Sequence, residues 1–400
     1  ILTGENLYFQ TLDDKNECLG VYLNGEIYYG KIPKGITKTW AYSPFLSDRE
    51  VEYANLYCGG SSLEDVVPTA YADRWELIQN KLKAYFRSFN EAKVDLNENC
   101  FFDLVPERFL LEFCEIKNKI TETVLQNYEK PEDYEFMLNL TKVVESMKSK
   151  KLNIDVSNIK TRLFEFKARQ WKDKIIKGSP YISYDIYGTK TGRMTTKKNS
   201  FPILTLPKEY RSVIKPTNDW FVELDFNAAE LRTLLSLAGR EQPEGDIHNW
   251  NIENIFKESM SREKAKKSIF AWLYNPSMKH PAEKVYNRTS VLDKHWDGDK
   301  IQTIYGREIE ADKHHALNYV IQSTTSDLFL RRMIDVHEIL KNKKSHIAFC
   351  VHDSLVIDLD NEEKDMIPEI KKVFSDTELG NFKVNLSAGK DYGTMKELKI

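Results

Sequence analysis

Residues 347–359 read IAFCVHDSLVIDL, two apolar, strand-forming runs that meet at an ionisable pair, His352–Asp353. Aromatic and β-branched residues on both sides predict two strands joined at a tight turn. A carboxylate between apolar runs is costly to bury unless a cation or hydrogen bonds compensate it. Asp353 therefore needs a partner. A second strand candidate, WFVELDF (220–226), carries another carboxylate, Asp225, just ahead of the helical stretch AAELRTLLSLAG (228–239). Strands separated by long helical stretches predict an α+β fold.

Working outward, residues 62–178 place apolar residues three and four apart in WELIQNKLKAYFRSF, RFLLEFCEIKNKITETVLQNY, YEFMLNLTKVVESMKSKK and VSNIKTRLFEFKARQWKDKII, which predicts helices. Gly178-Ser179-Pro180 ends that run. Residues 12–60 alternate apolar and polar between Gly and Pro, which predicts a small sheet. A long helix is expected over ALNYVIQSTTSDLFLRRMIDVHEIL (316–340). Residues 5–10, ENLYFQ, resemble an engineered protease site, so 1–11 are set aside as an expression-tag remnant.

With 400 residues, 41% hydrophobic and 30% charged, the chain is long enough for two or three domains. No apolar run approaches the roughly 20 residues that span a bilayer, so no membrane partner is expected. Five scattered cysteines without C-x-x-C argue for reduced, structural thiols in a cytosolic setting and against a disulfide frame or zinc site. The net charge is only −3, yet Lys142–Lys198 holds 15 Lys/Arg against 5 Asp/Glu. Such a stretch suits phosphate neutralisation, and it equally suits a solvated lysine-rich helix.

Three constellations carry chemistry. Arg262, Lys266, Phe270 and Tyr274 are each four apart and form one stripe on a helix. Two cations followed by two rings suit a nucleotide, with charges for phosphates and rings for sugar and base; a cationic surface running into core aromatics has the same spacing. Upstream, Asp246-Ile247-His248 offers a further phosphate donor or a structural histidine. Asn227 with Glu230 three residues later fits a capping box for the helix after Asp225. Asp225 and Asp353, both at strand ends, could together hold two Mg²⁺ ions, which take a few carboxylates plus substrate phosphates.

In order along the chain stand TGRMTT (191–196), DFNAAELR (225–232), DIH (246–248), R-x3-K-x3-F-x3-Y (262–274), TIYGR (303–307), N-x3-Q-x2-T-x-D (318–327) and VHD (351–353). This series resembles family A, the DNA polymerase I-like DNA polymerases, over residues 130–400, with weaker matches at ESMKSKKLNIDV (145–156) and GKDY (389–392). The resemblance implies a right-hand fold, with an antiparallel palm sheet, helical fingers and a helical thumb. It implies a template-directed enzyme that adds dNTPs to a primer 3′-hydroxyl. Asp225 and Asp353, with the backbone carbonyl of Phe226, would hold two Mg²⁺ ions. His248, Arg262 and Lys266 would bind the triphosphate, with Lys266 also protonating pyrophosphate. Phe270 would pack on the incoming sugar, Tyr274 would stand at the template position, and Glu230 would exclude the ribose 2′-hydroxyl. Arg193, Lys197, Lys198, Asn318, Gln322 and His352 would face primer–template DNA.

The resemblance also sets domain expectations: an N-terminal domain at 12–125, thumb at 126–198, palm at 199–245 and 316–400, and fingers at 246–315. The segment between IDV and TGR is short, which implies a truncated thumb and weak processivity. At the N-terminus the family's 3′–5′ exonuclease would need a strand-borne D-x-E. The strand candidate LNGEI has Asn24 in place of Asp, and Asp48-Arg49-Glu50 lies in a polar stretch. A degenerate exonuclease-like or unrelated domain without proofreading is expected. Asn275 replaces the glycine usual after the tyrosine, as a left-handed helix end, and Pro276 would stop the helix. Ala228 replaces a glutamine, and Ser354 replaces an acid. Two other readings are a catalytically weak or inactive DNA-binding replication or processivity subunit, and a single-subunit RNA polymerase-like enzyme; Glu230 argues against the latter. Expected partners are primer–template DNA, dNTPs and a replisome or processivity protein. A monomer in the cytoplasm of a bacterium or phage-infected cell, or in an organelle, is expected.

Overall fold

The computed structural model describes residues 6–399 apart from 14, 16, 97, 161–163, 257–259 and 276, together with all their side chains except those of 158 and 160. Part of the helix expected over VSNIKTRLFEFKARQWKDKII, and Pro276, thus lie outside the described residues. The chain divides into two compact units, residues 1–149 and 150–400.

The first unit opens with a three-stranded antiparallel sheet: β1 (Phe9–Thr11), β2 (Gly20–Leu23) and β3 (Glu26–Tyr29). Strand β1 falls inside the segment set aside as a tag, and Phe9 and Gln10 are fully buried in it. Phe9–Thr11 are therefore part of the fold and not a tag remnant outside it. Asn24 and Gly25 both have positive φ and close the β2–β3 hairpin, as Asn-Gly does in two-residue turns. LNGEI is thus a hairpin turn and not a strand carrying an exonuclease-type D-x-E, while Asp48, Arg49 and Glu50 sit on an exposed turn.

Helices α1 (Ala72–Glu91), α2 (Glu107–Asn127) and α3 (Tyr134–Lys148) follow. Their apolar stripes point inward: Trp75 and Ile78 of α1 meet Phe109, Leu110, Ile116 and Ile120 of α2. The reduced-thiol expectation fails in this unit. Cys18 and Cys100 form a disulfide with Cα atoms 5.4 Å apart, although 82 residues separate them in sequence. Folding, and not spacing, brings them together. Cys58, Cys114 and Cys350 are free and buried.

The second unit is built on a five-stranded antiparallel sheet. In chain order its elements are α4 (Phe166–Lys177), the short hairpin β4 (Tyr184–Asp185) and β5 (Thr195–Thr196), then β6 (Trp220–Phe226) and α5 (Ala229–Leu237). Next come α6 (Ile247–Asn251), α7 (Arg262–Leu273), α8 (Arg288–His295) and the hairpin β7 (Lys300–Gln302) and β8 (Glu308–Glu310). The long α9 (Ala316–Ile339) leads to β9 (His346–Val351) and β10 (Ser354–Leu359). Finally α10 (Ile367–Ser375), β11 (Val384–Gly389) and β12 (Lys396–Glu397) complete the chain. The strand order is β9-β10-β6-β11-β12.

Alternation in WFVELDF sorts its residues. Phe226 stacks on Phe374 of α10 at 4.4 Å, while Glu223 and Asp225 point to the opposite, open face. Every residue of β10 is buried, which is why SLVIDL reads as a continuous apolar run around one aspartate. A separate core joins Leu231, Leu234 and Leu235 of α5 to Ile269 and Trp272 of α7 and to Val320 and Ile321 of α9. It fixes α7 against the sheet's helical neighbours.

Candidate active site

Register decides the site. In β6, Asp225 pairs with Ser354 of β10 on one side and Asn385 of β11 on the other. Asp353 stands one residue before Ser354, in the two-residue turn between β9 and β10. The turn is made by His352 at φ 55°, a conformation that costs a non-glycine residue roughly 1–3 kcal/mol and persists only where the surroundings impose it. The Ser354 hydroxyl donates to the Val351 carbonyl at 3.1 Å and closes the turn. Asp225, Asp353, His352, Ser354 and Glu223 line one cleft of about 530 Å³.

Neither carboxylate is neutralised by the protein. Asp225 is pushed up to about 6 by burial first, then by the Glu223 and Asp353 carboxylates, against Asn385 and the charge of Lys266. Among the described residues its carboxylate accepts one long hydrogen bond, from Asn385 Nδ2 at 3.5 Å. Burial also raises Asp353, against the opposing charge of Arg193. Two carboxylates held together in a cleft with no bonded cation form a donor set that fits divalent metal. Among the described residues there is no cluster of three or more His, Cys, Asp or Glu side chains able to hold a metal, so the fit rests on these two.

The four-residue stripe is present. Arg262, Lys266 and Phe270 lie on α7 and Tyr274 is its C-terminal cap, with the two rings stacked at 6.1 Å. Lys266 is exposed, and its charge reaches Asp225. Arg262 is engaged already: Nη2 and Nε donate to the two oxygens of Asp246 at 2.7 and 3.2 Å. Asp246 caps α6 by accepting from the amides of His248 and Asn249. Burial pushes the Asp246 carboxyl up, but Arg262, Asn227 and these amides outweigh it, and the net shift is well below the usual range. His248 is buried, its ring lies 6.0 Å from Phe270, and its Nδ1 has no partner among the described residues. Burial holds its pKa down, so the imidazole is neutral at pH 7.

The capping box does not form. Ala228, in the left-handed region at φ 52°, is the N-cap of α5 and accepts no role from Asn227. The Asn227 carboxamide instead donates to Asp246 at 2.9 Å and accepts from the Ile247 amide at 3.0 Å, tying the end of β6 to the start of α6. These bonds join residues 19 and 20 apart in the sequence, which a local capping box cannot anticipate. Glu230 is left for the site. Its Oε1 accepts from Arg193 Nη2 at 2.6 Å and its Oε2 accepts from the Tyr274 hydroxyl. Burial and the Glu230 charge both raise the Tyr274 pKa, so this phenol stays a donor. The left-handed conformation expected at Asn275 is absent: its Oδ1 accepts from the Ser277 amide and hydroxyl.

Of the expected DNA-facing residues, His352 lines the cleft and Arg193 reaches Glu230 and Asp353. Lys197 and Lys198 are exposed just past β5, while Asn318 and Gln322 are half-buried on α9. Asn318 Oδ1 is buried without a partner among the described residues. No described bond joins these four to the carboxylates. Sequence reasoning missed Lys208, Arg211, Glu223, Asn385 and Ser387, which also line the cleft. Alternation alone could have found Glu223, two residues before Asp225 on the same face; the others need the register. Arg307, whose guanidinium bonds Asp327 at 2.6 and 3.0 Å, lies against the TGR turn at Gly192. A Cβ at Gly192 (φ +77°) would stand 2.7 Å from Arg307 Nη2.

A family model described as DNA polymerase family A matches residues 277–396, which include Asn318, Gln322, His352 and Asp353. DNA polymerase I of Chloroflexus aurantiacus is 23% identical over 281 residues, covering 56% of this chain and 30% of that protein. The chain thus spans less than a third of that relative's length. Among solved structures, the POL domain of Pol1 from M. smegmatis in complex with DNA primer-template and dNTP matches with a TM-score of 0.67 at 10% identity. That likeness covers 98% of this chain and 96% of the other, and it speaks for the fold. Residues 277–396 thus match the model of DNA polymerase family A, and the relative and the fold point to the same family.

Proposed function

We propose that the protein is a template-directed DNA polymerase that adds dNTPs to a primer 3′-hydroxyl. The observation that carries this reading is the pairing of Asp225 with Ser354, which sets Asp225 and Asp353 in one cleft without a protein cation bonded to either. Primer–template DNA and dNTPs are the partners, by analogy with the mycobacterial POL domain. The sheet β9-β10-β6-β11-β12 is the palm and α6–α8 are the fingers. The short segment before TGR is a reduced thumb, so synthesis is weakly processive. Proofreading is left out of this reading, because the two D-x-E candidates that the sequence offers sit on a hairpin and an exposed turn.

Asp225, Asp353 and the Phe226 carbonyl would hold two Mg²⁺ ions, which when bound lower the pKa of the 3′-hydroxyl and neutralise the triphosphate. The remaining work falls to this chain's side chains. Lys266 and Arg262 bind phosphate oxygens, Arg262 exchanging Asp246 for the substrate, and Lys266 donates a proton to the departing pyrophosphate. Neutral His248 contributes a donor beside Phe270, whose ring packs on the sugar. Glu230 is held rigid from both sides by Arg193 and Tyr274, so its bulk is fixed where a 2′-hydroxyl would stand; this rigidity favours DNA over RNA synthesis. Extension of a defined primer–template with dNTPs in Mg²⁺ tests the reading. Incorporation that is lost in Asp225→Asn while DNA binding persists is expected; incorporation that survives it overturns the assignment.

A further inference from the structure

Strand β9 is the outer strand of the sheet, so among the described residues no strand pairs with the backbone groups on its free side. At Cys350, three residues before Asp353, this side is closed by one side chain. The Tyr184 hydroxyl donates to the Cys350 carbonyl at 2.6 Å and accepts from the Cys350 amide at 3.0 Å. A hydroxyl does both through a single atom, and a phenyl ring can do neither. Tyr184 is itself buried, and burial holds the phenol protonated. It belongs to β4, paired with Thr196 of β5, and the loop between these strands carries Arg193. That loop is pinned by the Thr189 hydroxyl, which donates to the Arg193 carbonyl at 2.8 Å.

We propose that Tyr184 is a positioning residue for the metal-binding turn: its hydroxyl fixes the edge of β9 and couples Asp353 to the hairpin that carries Arg193. The inference rests on the polymerase reading and names a residue that reading does not use. The physical need is specific. His352 is forced into positive φ, and such a turn keeps its shape only while both flanking strands are held. Strand β10 is held by β6, whereas β9 has β10 on one side and, at Cys350, the Tyr184 hydroxyl on the other. Removing the hydroxyl strands a buried amide and a buried carbonyl at the base of the turn, which loosens Asp353 relative to Asp225.

The test uses the full chain with Tyr184→Phe, which keeps the ring, and Cys350→Ala, which perturbs packing at the same place but leaves the backbone bonds. Mn²⁺ binding is titrated, and kcat, dNTP KM and the metal midpoint are measured in primer extension. Hydrogen exchange at the Cys350 amide supplies a readout independent of activity. In Tyr184→Phe, Mn²⁺ affinity and kcat should fall about 10-fold or more, as for other residues that orient metal ligands. The Cys350 amide should exchange faster while amides 355–357 stay protected, with dNTP KM and primer–template affinity unchanged. Cys350→Ala should leave metal affinity at the wild-type level. Wild-type exchange and Mn²⁺ affinity in Tyr184→Phe would overturn the inference, as would an equal loss in Cys350→Ala. A wild-type protein that neither binds Mn²⁺ nor extends a primer overturns the polymerase reading itself.

Discussion

Asp225→Asn should stabilise the metal-free protein while abolishing incorporation. In the folded chain Asp225 is raised from 3.8 to about 6, with burial the largest cause and Glu223 next. A tenfold change in a protonation equilibrium is 1.36 kcal/mol, so the difference corresponds to about 3 kcal/mol, and partial exposure reduces it to about 2 kcal/mol. The sign follows from linkage. The folded state binds the proton more tightly than the unfolded chain, so the contribution of Asp225 to stability is most favourable below pH 4 and is lost as pH rises through 6. Asparagine has no such dependence. The advantage of Asp225→Asn should therefore be near zero at pH 4 and reach about 2 kcal/mol by pH 7.5. Urea unfolding of the second unit in EDTA, from pH 4 to 8, measures it. Adding Mg²⁺ or Mn²⁺ at pH 7.5 should close the gap by stabilising the wild type alone. A variant that is less stable than wild type at pH 7.5 in EDTA, or a gap that ignores pH, would refute the claim that Asp225 is an uncompensated buried carboxylate.

Three other outcomes follow from named contacts. Glu230→Ala removes the acceptor shared by Arg193 and Tyr274, and ribonucleotide incorporation should rise about 10-fold or more against dNTP; unchanged sugar selectivity in a competition assay counts against the gate. Gly192→Ala places a methyl against a guanidinium that Asp327 holds in place, at positive φ, and should cost about 2 kcal/mol or more in urea unfolding; a loss under 0.5 kcal/mol, roughly the scatter of a neutral surface change, would show that Arg307 can yield. Reducing Cys18–Cys100 opens a loop of 82 residues and should destabilise the first unit by about 4 kcal/mol while leaving the second unit's transition in place; equal melting with and without reductant would count against the bond.

What the sequence makes legible here is whatever depends on near neighbours. The strands at 220–226, 346–351 and 354–359 follow from local apolar runs, and the His352–Asp353 turn falls where those runs break. The α7 stripe follows from a period of four. What stays hidden depends on partners far along the chain. Asn227 fits a capping box in sequence, but Ile247 and Asp246, packed beside it, take its carboxamide. Glu223 and Asn385 join the cleft only through strand register, and Cys18 meets Cys100 only through folding. Phe9–Thr11 is recruited into a sheet because it can pair with β2, whatever its sequence resembles. Tyr184 lies in an unremarkable stretch, and its value is visible only from the edge of β9.

The central claim is that Asp225 and Asp353 form one metal-dependent site for nucleotide addition. Single-nucleotide extension of a defined primer–template in Mg²⁺, with dNTPs and rNTPs in parallel, tests it most directly. Wild type should add the templated dNTP and discriminate against rNTP, and Asp353→Asn should add neither while binding the same DNA. Templated addition by Asp353→Asn at the wild-type rate, or none by wild type with Mg²⁺ or Mn²⁺, would contradict it.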